Sequence, residues 1–315
     1  MLTTYIFENG RPVQIEAPED PICLTGASWL DLVDPSDEER AAVTAYYRQE
    51  LPDTEDVEEI EASARSYEDE AGLHIHSLFL HDVDGRARNT SVAFTIKGDR
   101  LFTLREREIP AFRLLRMRAR HDRSIAQDPA CTVISLFEIK IDDLADTIEE
   151  VYTGLEEVST MVLEASKTGM EDALDALARH EDTSGKVRLC LMDTQRALSF
   201  LLRRGRLNIE QAERARELLR DIDSLLPHNS FVFDKINFLM DAAQGFINIE
   251  QNKIIKIFSI AAVVFLPPTM IASIYGMNFD VIPELHWKLG YPWALGLMLL
   301  AGVAPYWYFK RRGWM

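Results

Sequence analysis

Hydrophobic patterning changes character twice along the 315 residues of the chain. Up to about residue 125, short apolar runs are bounded by turn residues. Residues 4–7 and 13–15 flank Asn9-Gly10, a two-residue hairpin signal. Asp34-Pro35 followed by Asp37, Glu38 and Glu39 predicts a helix start, with Pro at the first position and acids facing the helix dipole. Strands are predicted over 72–83, 90–97 and 100–104, with turns at Asp84-Gly85 and Gly98-Asp99, and a helix over 109–121. This part reads as a small α/β domain.

From about 128 to 226 the period becomes helical. Leu136, Ile139, Ile141, Leu144, Ile148, Val151 and Leu155 recur at the spacing of one helix face. Breaks at Thr168-Gly169 and Gly205 divide the region into long hairpins. Helices of this length suggest a rod or stalk rather than a globular core. The acids Asp142, Asp143, Asp146, Glu149, Glu150, Glu156 and Glu157 read as a solvated face, with attraction of cations as the other reading.

The third regime is continuously apolar. Residues 257–275 and 291–309 are each 19 residues without a formal charge, close to the roughly 20 needed to cross a bilayer as helix. Lys253 and Lys256 precede the first, and Lys310, Arg311 and Arg312 follow the second, so both flanks are expected in the cytosol and the loop 276–290 outside. Trp287, Tyr291, Trp293, Tyr306, Trp307 and Tyr308 lie near the span ends, where amphipathic rings prefer the interface. Pro267-Pro268 falls inside the first span and is either a packing kink or a source of freed carbonyls. One helix is expected to begin near Ser230 and run through the bilayer. Along it, Asp241, Gly245, Asn248, Asn252, Ile255, Ser259, Ala262, Leu266, Thr269, Ser273 and Gly276 form a stripe at alternating steps of four and three. Such a stripe faces the axis of a parallel helix ring. Small residues at this spacing also serve dry packing in membranes. The amides and the acid favour a water-lined pore, which Ile255, Phe258 and Leu266 would narrow.

Charge sharpens this division. The formal net charge is -17. Beyond residue 250, six basic residues (Lys253, Lys256, Lys288, Lys310, Arg311, Arg312) stand against Asp280 and Glu284, leaving +4 there and -21 over residues 1–250. An acidic soluble part argues against a nucleic-acid partner and suits a cation. Cys23, Cys131 and Cys190 are far apart and read as buried free thiols. The first 20 residues lack a basic start followed by an apolar run, so the N-terminal part is expected to stay in the cytosol. No convergent nucleophile or acid–base set marks an enzyme.

The first span ends in Tyr275-Gly276-Met277-Asn278-Phe279, followed by Ile282-Pro283-Glu284-Leu285 and Gly290-Tyr291-Pro292. Together with Gly72-Leu73-His74-Ile75-His76, Leu101-Phe102-Thr103-Leu104-Arg105-Glu106 and residues 186–195, these runs resemble the CorA family of magnesium channels, proteobacterial members above all. The similarity covers essentially the whole chain. Asp280 and Ile282 depart from the Glu and Met of many relatives. The resemblance implies an α/β cytosolic domain (1–125), cytosolic long-helix hairpins (126–230), a stalk helix entering the first span (231–275), a periplasmic loop with the Gly-Met-Asn motif (276–290), a second span (291–309) and a basic cytosolic tail (310–315). It implies a funnel-shaped homopentamer in the lipid of a bacterial inner membrane, both termini cytosolic. The transported ion is Mg2+, with Co2+ and Ni2+ beside it, and Gly276, Met277 and Asn278 form the selectivity filter. Glu284 either concentrates cations at the mouth or is an ordinary loop acid. Cytosolic Mg2+ also closes the family's channels through acidic sites, for which Glu58, Glu59, Asp221 and Asp223 are the candidates here. The alternative is a zinc transporter of the same superfamily, for which His74, His76 and His81 would be relevant, although ordinary strand histidines are the simpler reading of them.

Overall fold

A computed structural model describes residues 1–8, 11–14, 27–47, 65–122, 125–163, 169–278 and 283–313. Two compact units are present, Met1–Met240 and Asp241–Met315.

The first unit is built on a seven-stranded sheet: β1 (Leu2–Glu8), β2 (Arg11–Gln14), β3 (Trp29–Val33), β4 (Ser66–Asp69), β5 (Gly72–Val83), β6 (Arg86–Lys97) and β7 (Arg100–Arg105). Their order is β2-β1-β3-β7-β6-β5-β4. β3 and β7 run parallel, with Leu30 beside Phe102, and the other neighbours are antiparallel. β1 and β2 pair in a register that brings Glu8 opposite Arg11. Asp84 and Gly85 both take positive φ, at 53° and 74°, as a two-residue hairpin matched to strand twist requires.

Helix α1 (Asp37–Tyr47) covers one face of the sheet through Val43 and Tyr47, which join Leu30, Leu32, Ala93, Phe102 and Leu104. Its start differs from the expectation. Pro35 lies outside the helix, and Ser36 and Glu39 cap it reciprocally: Ser36 N–H donates to Glu39 Oε2 at 3.0 Å and Glu39 N–H to Ser36 Oγ at 3.3 Å. On the other face, Phe79 and Phe94 meet Phe112 of α2 (Pro110–Ala119) and Phe137 of α3 (Pro129–Leu163). All four rings are fully buried, each contributing about 2 kcal/mol by area.

Two further long helices follow, α4 (Met170–Arg204) and α5 (Ile209–Tyr275). Asp193 of α4 joins the helices to β5, accepting from Ser77 Oγ at 2.7 Å, the Leu78 N–H at 2.8 Å and Arg65 at 2.9 Å. The buried Lys140 of α3 donates to Ser77 Oγ at 2.9 Å. Nearby, burial pushes the Cys190 thiol up to about 12, which makes it inert. The start expected near Ser230 is corrected: α5 begins at Ile209. Asn208 and Gln211 exchange side-chain bonds to each other's N–H groups at 2.9 and 3.0 Å, fixing the helix start. Pro227 does not end the helix, because Leu218, Ile222, Val232, Ile236 and Leu239 continue one buried face across it.

The second unit holds the last part of α5, a short 3-10 turn (Pro283–His286) and α6 (Gly290–Arg311).

Candidate functional site

The second unit presents apolar surface that water cannot accommodate. Phe258, Phe265 and Leu266 of α5 are 72%, 70% and 65% exposed, and Leu299 of α6 is 70% exposed. A contiguous surface of this kind marks a membrane or an assembly interface. By length and composition together, α5 is the one helix among the described residues fit to cross a bilayer. α6, at 22 residues, is about 33 Å long at 1.5 Å per residue. Aromatic rings and prolines occupy its ends, which makes it less aliphatic than α5.

Within this unit α5 has two distinct faces. Ile260, Ala261, Val264, Pro267, Pro268, Ile271 and Tyr275 are partly covered. They recur at steps of three and four, so they share one side of the helix. Gly302 of α6 packs on that side, where an added Cβ would lie 3.4 Å from Pro268 Cγ and 3.5 Å from the Val264 oxygen. Asp241, Asn248, Asn252, Ile255, Phe258, Ser259, Ala262, Leu266, Thr269 and Ser273 are all exposed on other faces of the helix. The stripe predicted from spacing therefore does not bind α6. The Thr269 hydroxyl donates to the Phe265 carbonyl at 2.7 Å.

The helix ends at the Gly276-Met277-Asn278 motif. Gly276 N–H donates to the Ala272 carbonyl at 2.9 Å, and Met277 N–H to Ile274 at 3.3 Å. Freedom to turn is not what requires glycine here, since Gly276 does not adopt left-handed φ. A Cβ there would instead stand 3.1 Å from the Ala272 oxygen, so the constraint is close packing at the helix end. Met277 and Asn278 are exposed. Glu284 is half-buried in the 3-10 turn, its carbonyl accepting from Trp287 N–H at 3.2 Å.

The candidate regulatory residues fare unequally. Glu58 and Glu59 lie outside the described residues. Asp221 is exposed on α5. It belongs to an acidic patch with Asp142, whose carboxyl is raised first by burial and then, against the pull of Arg118, by Glu138, Asp146 and Asp221. Asp143 is raised by burial and by Asp146 and Glu150. The α3 acids expected on a solvated face are all exposed. Asp223, by contrast, accepts from Gln195 Nε2 at 2.7 Å within its own chain. Among the described residues no three His, Cys, Asp or Glu side chains gather as a metal site.

The strand histidines have structural partners. His74 bonds Thr95 Oγ1 and Asp69 Oδ1, each at 3.0 Å, and stacks on Tyr67. His76 meets the edge of the same ring. His81 bonds Thr90 and Arg107. Cys131 and Cys190 are buried and unbridged as expected.

The family model described as CorA-like Mg2+ transporter protein matches residues 25–311. The chain belongs to that family. It is 55% identical to the magnesium transport proteins CorA of Pectobacterium atrosepticum, Pasteurella multocida and Escherichia coli K12, over 100% of both chains in each case. Among solved structures, the complete CorA magnesium transporter from Methanocaldococcus jannaschii is similar with a TM-score of 0.76 and 19% identity, over 100% of this chain and 99% of that one. The full-length CmaX protein is similar with a TM-score of 0.71 and 17% identity, over 98% and 96%. These two likenesses speak to the CorA fold. Members of the CorA family are membrane transporters, and the apolar α5 fits that class.

Proposed function

We propose that this CorA-family chain is one subunit of a homopentameric channel that admits Mg2+, with Co2+ and Ni2+, across a bacterial inner membrane. Both α5 and α6 span the bilayer, and both termini lie in the cytosol. The observation that carries the reading is the stripe from Asp241 to Ser273, which runs outside the α6-packed face and leads to Gly276-Met277-Asn278 at the end of α5. Five such helices around one axis line a pore with amides and hydroxyls. Mg2+ dehydrates reluctantly and keeps its octahedral water shell. Five Asn278 side-chain carbonyls accept hydrogen bonds from that shell without stripping it. A ring of carboxylates there would hold the ion too tightly to release. Lower in the pore, Ile255, Phe258 and Leu266 form a hydrophobic constriction that closes by dewetting. Glu284 raises the cation concentration at the outer mouth.

Cytosolic Mg2+ closes the channel by binding between acidic faces of neighbouring subunits. Glu58 and Glu59 supply one side and the patch around Asp221 the other, with Asp223 as its more distant neighbour. Asp142, Asp143 and Asp221 are exposed, and repulsion among such neighbouring acids is what a divalent cation would relieve. A zinc reading gains no support from His74 and His81, whose ring nitrogens are engaged within the sheet.

The test is ion flux into liposomes holding the purified full chain. Mg2+ entry that exceeds Zn2+ entry, and that falls as internal Mg2+ rises, is the expected result. Zn2+ entry without Mg2+ entry would overturn the reading.

A further inference from the structure

The first unit is acidic overall, yet one of its cavities is rich in arginine. It encloses about 730 Å3 at the loop before α1 and the adjoining ends of β5, β6 and β7, a volume within the range of small-ligand sites. Arginines outnumber carboxylates in its lining, although residues 1–250 carry -21. Two of these arginines are already neutralised inside the protein: Arg105 by Asp31 and Glu108, and Arg65 by Asp193.

Arg88 and Arg107 are different. Both are exposed, and neither forms an ion pair among the described residues. They converge on His81. Arg88 stands directly across the β5–β6 ladder from it, and Arg107 Nη1 lies 3.2 Å from His81 Nε2. A guanidinium only donates, so His81 accepts at Nε2 and carries its proton on Nδ1. Its Nδ1 lies 3.3 Å from Thr90 Oγ1. Burial lowers the His81 pKa and the charges of Arg107 and Arg88 lower it again, against hydrogen bonds to the Phe79 and Arg88 backbone. Ser91, also in the lining, keeps a buried hydroxyl oxygen with no hydrogen-bond partner among the described residues. The cavity therefore offers two guanidinium groups without a carboxylate partner among the described residues, beside the hydroxyls of Thr90 and Ser91.

The acceptor that suits this set is a phosphate chain, since guanidinium forks pair with phosphate oxygens. Asp34, Asp37 and Glu106 line the same cavity. A bare anion would meet them as repulsion, whereas a phosphate chain that brings its own divalent cation has a partner for both signs. We propose that this cavity binds a polyphosphate as its magnesium complex, with Arg88, Arg107 and Thr90 on the phosphate oxygens. Nucleoside triphosphate and inorganic tripolyphosphate share that chemistry and are separated by the test.

Equilibrium binding of radiolabelled ATP is measured on the full-length protein in detergent micelles at fixed free Mg2+, with unlabelled tripolyphosphate and AMP as competitors. Saturable binding is expected, and Arg88→Gln and Arg107→Gln should each weaken it about tenfold or more. Arg120→Gln, exposed and outside the cavity lining, should bind as wild type. Competition by tripolyphosphate at concentrations similar to ATP makes the phosphate chain the recognised group. Much weaker competition assigns the site to the nucleotide. AMP should compete poorly in either case. Both arginine variants replace exposed side chains, and an unchanged thermal unfolding midpoint verifies their fold. Absence of saturable ATP binding to wild type, or wild-type affinity in both Arg88→Gln and Arg107→Gln, overturns the proposal.

Discussion

Gly302 of α6 lies against Pro268 of α5, where a Cβ would come 3.4 Å from the proline ring and 3.5 Å from the Val264 carbonyl oxygen. The pairing has a physical reason. Pro268 has no N–H, so the Val264 carbonyl four residues earlier loses its helical donor. In a bilayer such a carbonyl needs a protein neighbour. The absence of a side chain at Gly302 lets the α6 backbone approach it, as small residues do between membrane helices.

This contact predicts a graded response to side-chain size. Both distances are ordinary van der Waals separations, so Gly302→Ala should leave the thermal unfolding of the detergent-solubilised protein near wild type. Gly302→Leu should destabilise it by about 1–3 kcal/mol through overpacking. Equal effects of the two substitutions would mean that α6 does not dock there.

Glu108 provides a pH dependence. Burial raises its carboxyl, but hydrogen bonds from Arg105 and Arg116, and the charge of both, hold it below its ordinary value of 4.5. With the folded value below the unfolded one, its stabilisation is complete above the ordinary value and is lost as pH falls through the folded value. Glu39, held low by the N-terminal amine and backbone donors against its burial, has the same sign. The unfolding midpoint should therefore fall as pH drops from about 5 to about 3. Glu108→Gln should remove part of that slope. Because Glu108 is about half exposed, its share is about 1 kcal/mol at most. A slope unchanged in Glu108→Gln would show that its arginine pairing contributes nothing.

The same residues mark what the sequence made legible. The β5–β6–β7 meander could be read because Asp84-Gly85 and Gly98 punctuate it. β3 could not, since Trp29–Val33 is short, nearly all buried and lacks alternation. Its parallel partner β7 lies about seventy residues away. The start expected near Ser230 missed the stretch from Ile209, because a local rule cannot see the buried face that continues across Pro227. The stripe on α5 was visible from heptad spacing, but the face that α6 covers was not, because it depends on where Gly302 docks. Lys140 and Asp193 look like ordinary helix charges in sequence. Only tertiary packing brings them together on Ser77.

The filter assignment predicts a loss of flux without a loss of fold. Asn278 is exposed at the end of α5, so Asn278→Ala removes no packing. Mg2+ entry into liposomes should fall at least about tenfold, corresponding to some 1.4 kcal/mol of lost stabilisation of the hydrated ion. Gly276→Ala should also impair entry, since its Cβ would crowd the Ala272 oxygen at 3.1 Å and displace the neighbouring motif. Normal flux through a well-expressed Asn278→Ala protein would remove this residue from the filter.

The proposed closure by internal Mg2+ joins the charge asymmetry to the long helix. In the proposed pentamer, with -21 over residues 1–250 of every chain, the five N-terminal parts would repel one another where they meet, and Mg2+ between facing carboxylates would offset that repulsion. A ligand shifts an equilibrium only by its differential affinity for the two states, so the ion must bind more tightly where the acids are close, in the closed form. Helix α5 is continuous from Ile209 to Tyr275. In the proposed closure, a displacement around Asp221 would travel along this one element toward Ile255, Phe258 and Leu266. Replacing Glu58 and Glu59 together by Gln should shift the inhibition curve toward higher internal Mg2+, because fewer carboxylates reward the closed arrangement. The preference for Mg2+ over Zn2+ at the outer mouth should stay as in wild type, since Asn278 is untouched. Flux against internal Mg2+ for the two proteins measures both quantities at once. Superimposed inhibition curves would assign Glu58 and Glu59 to a solvated face, and leave Asp221 with Asp142 as the next pair to neutralise.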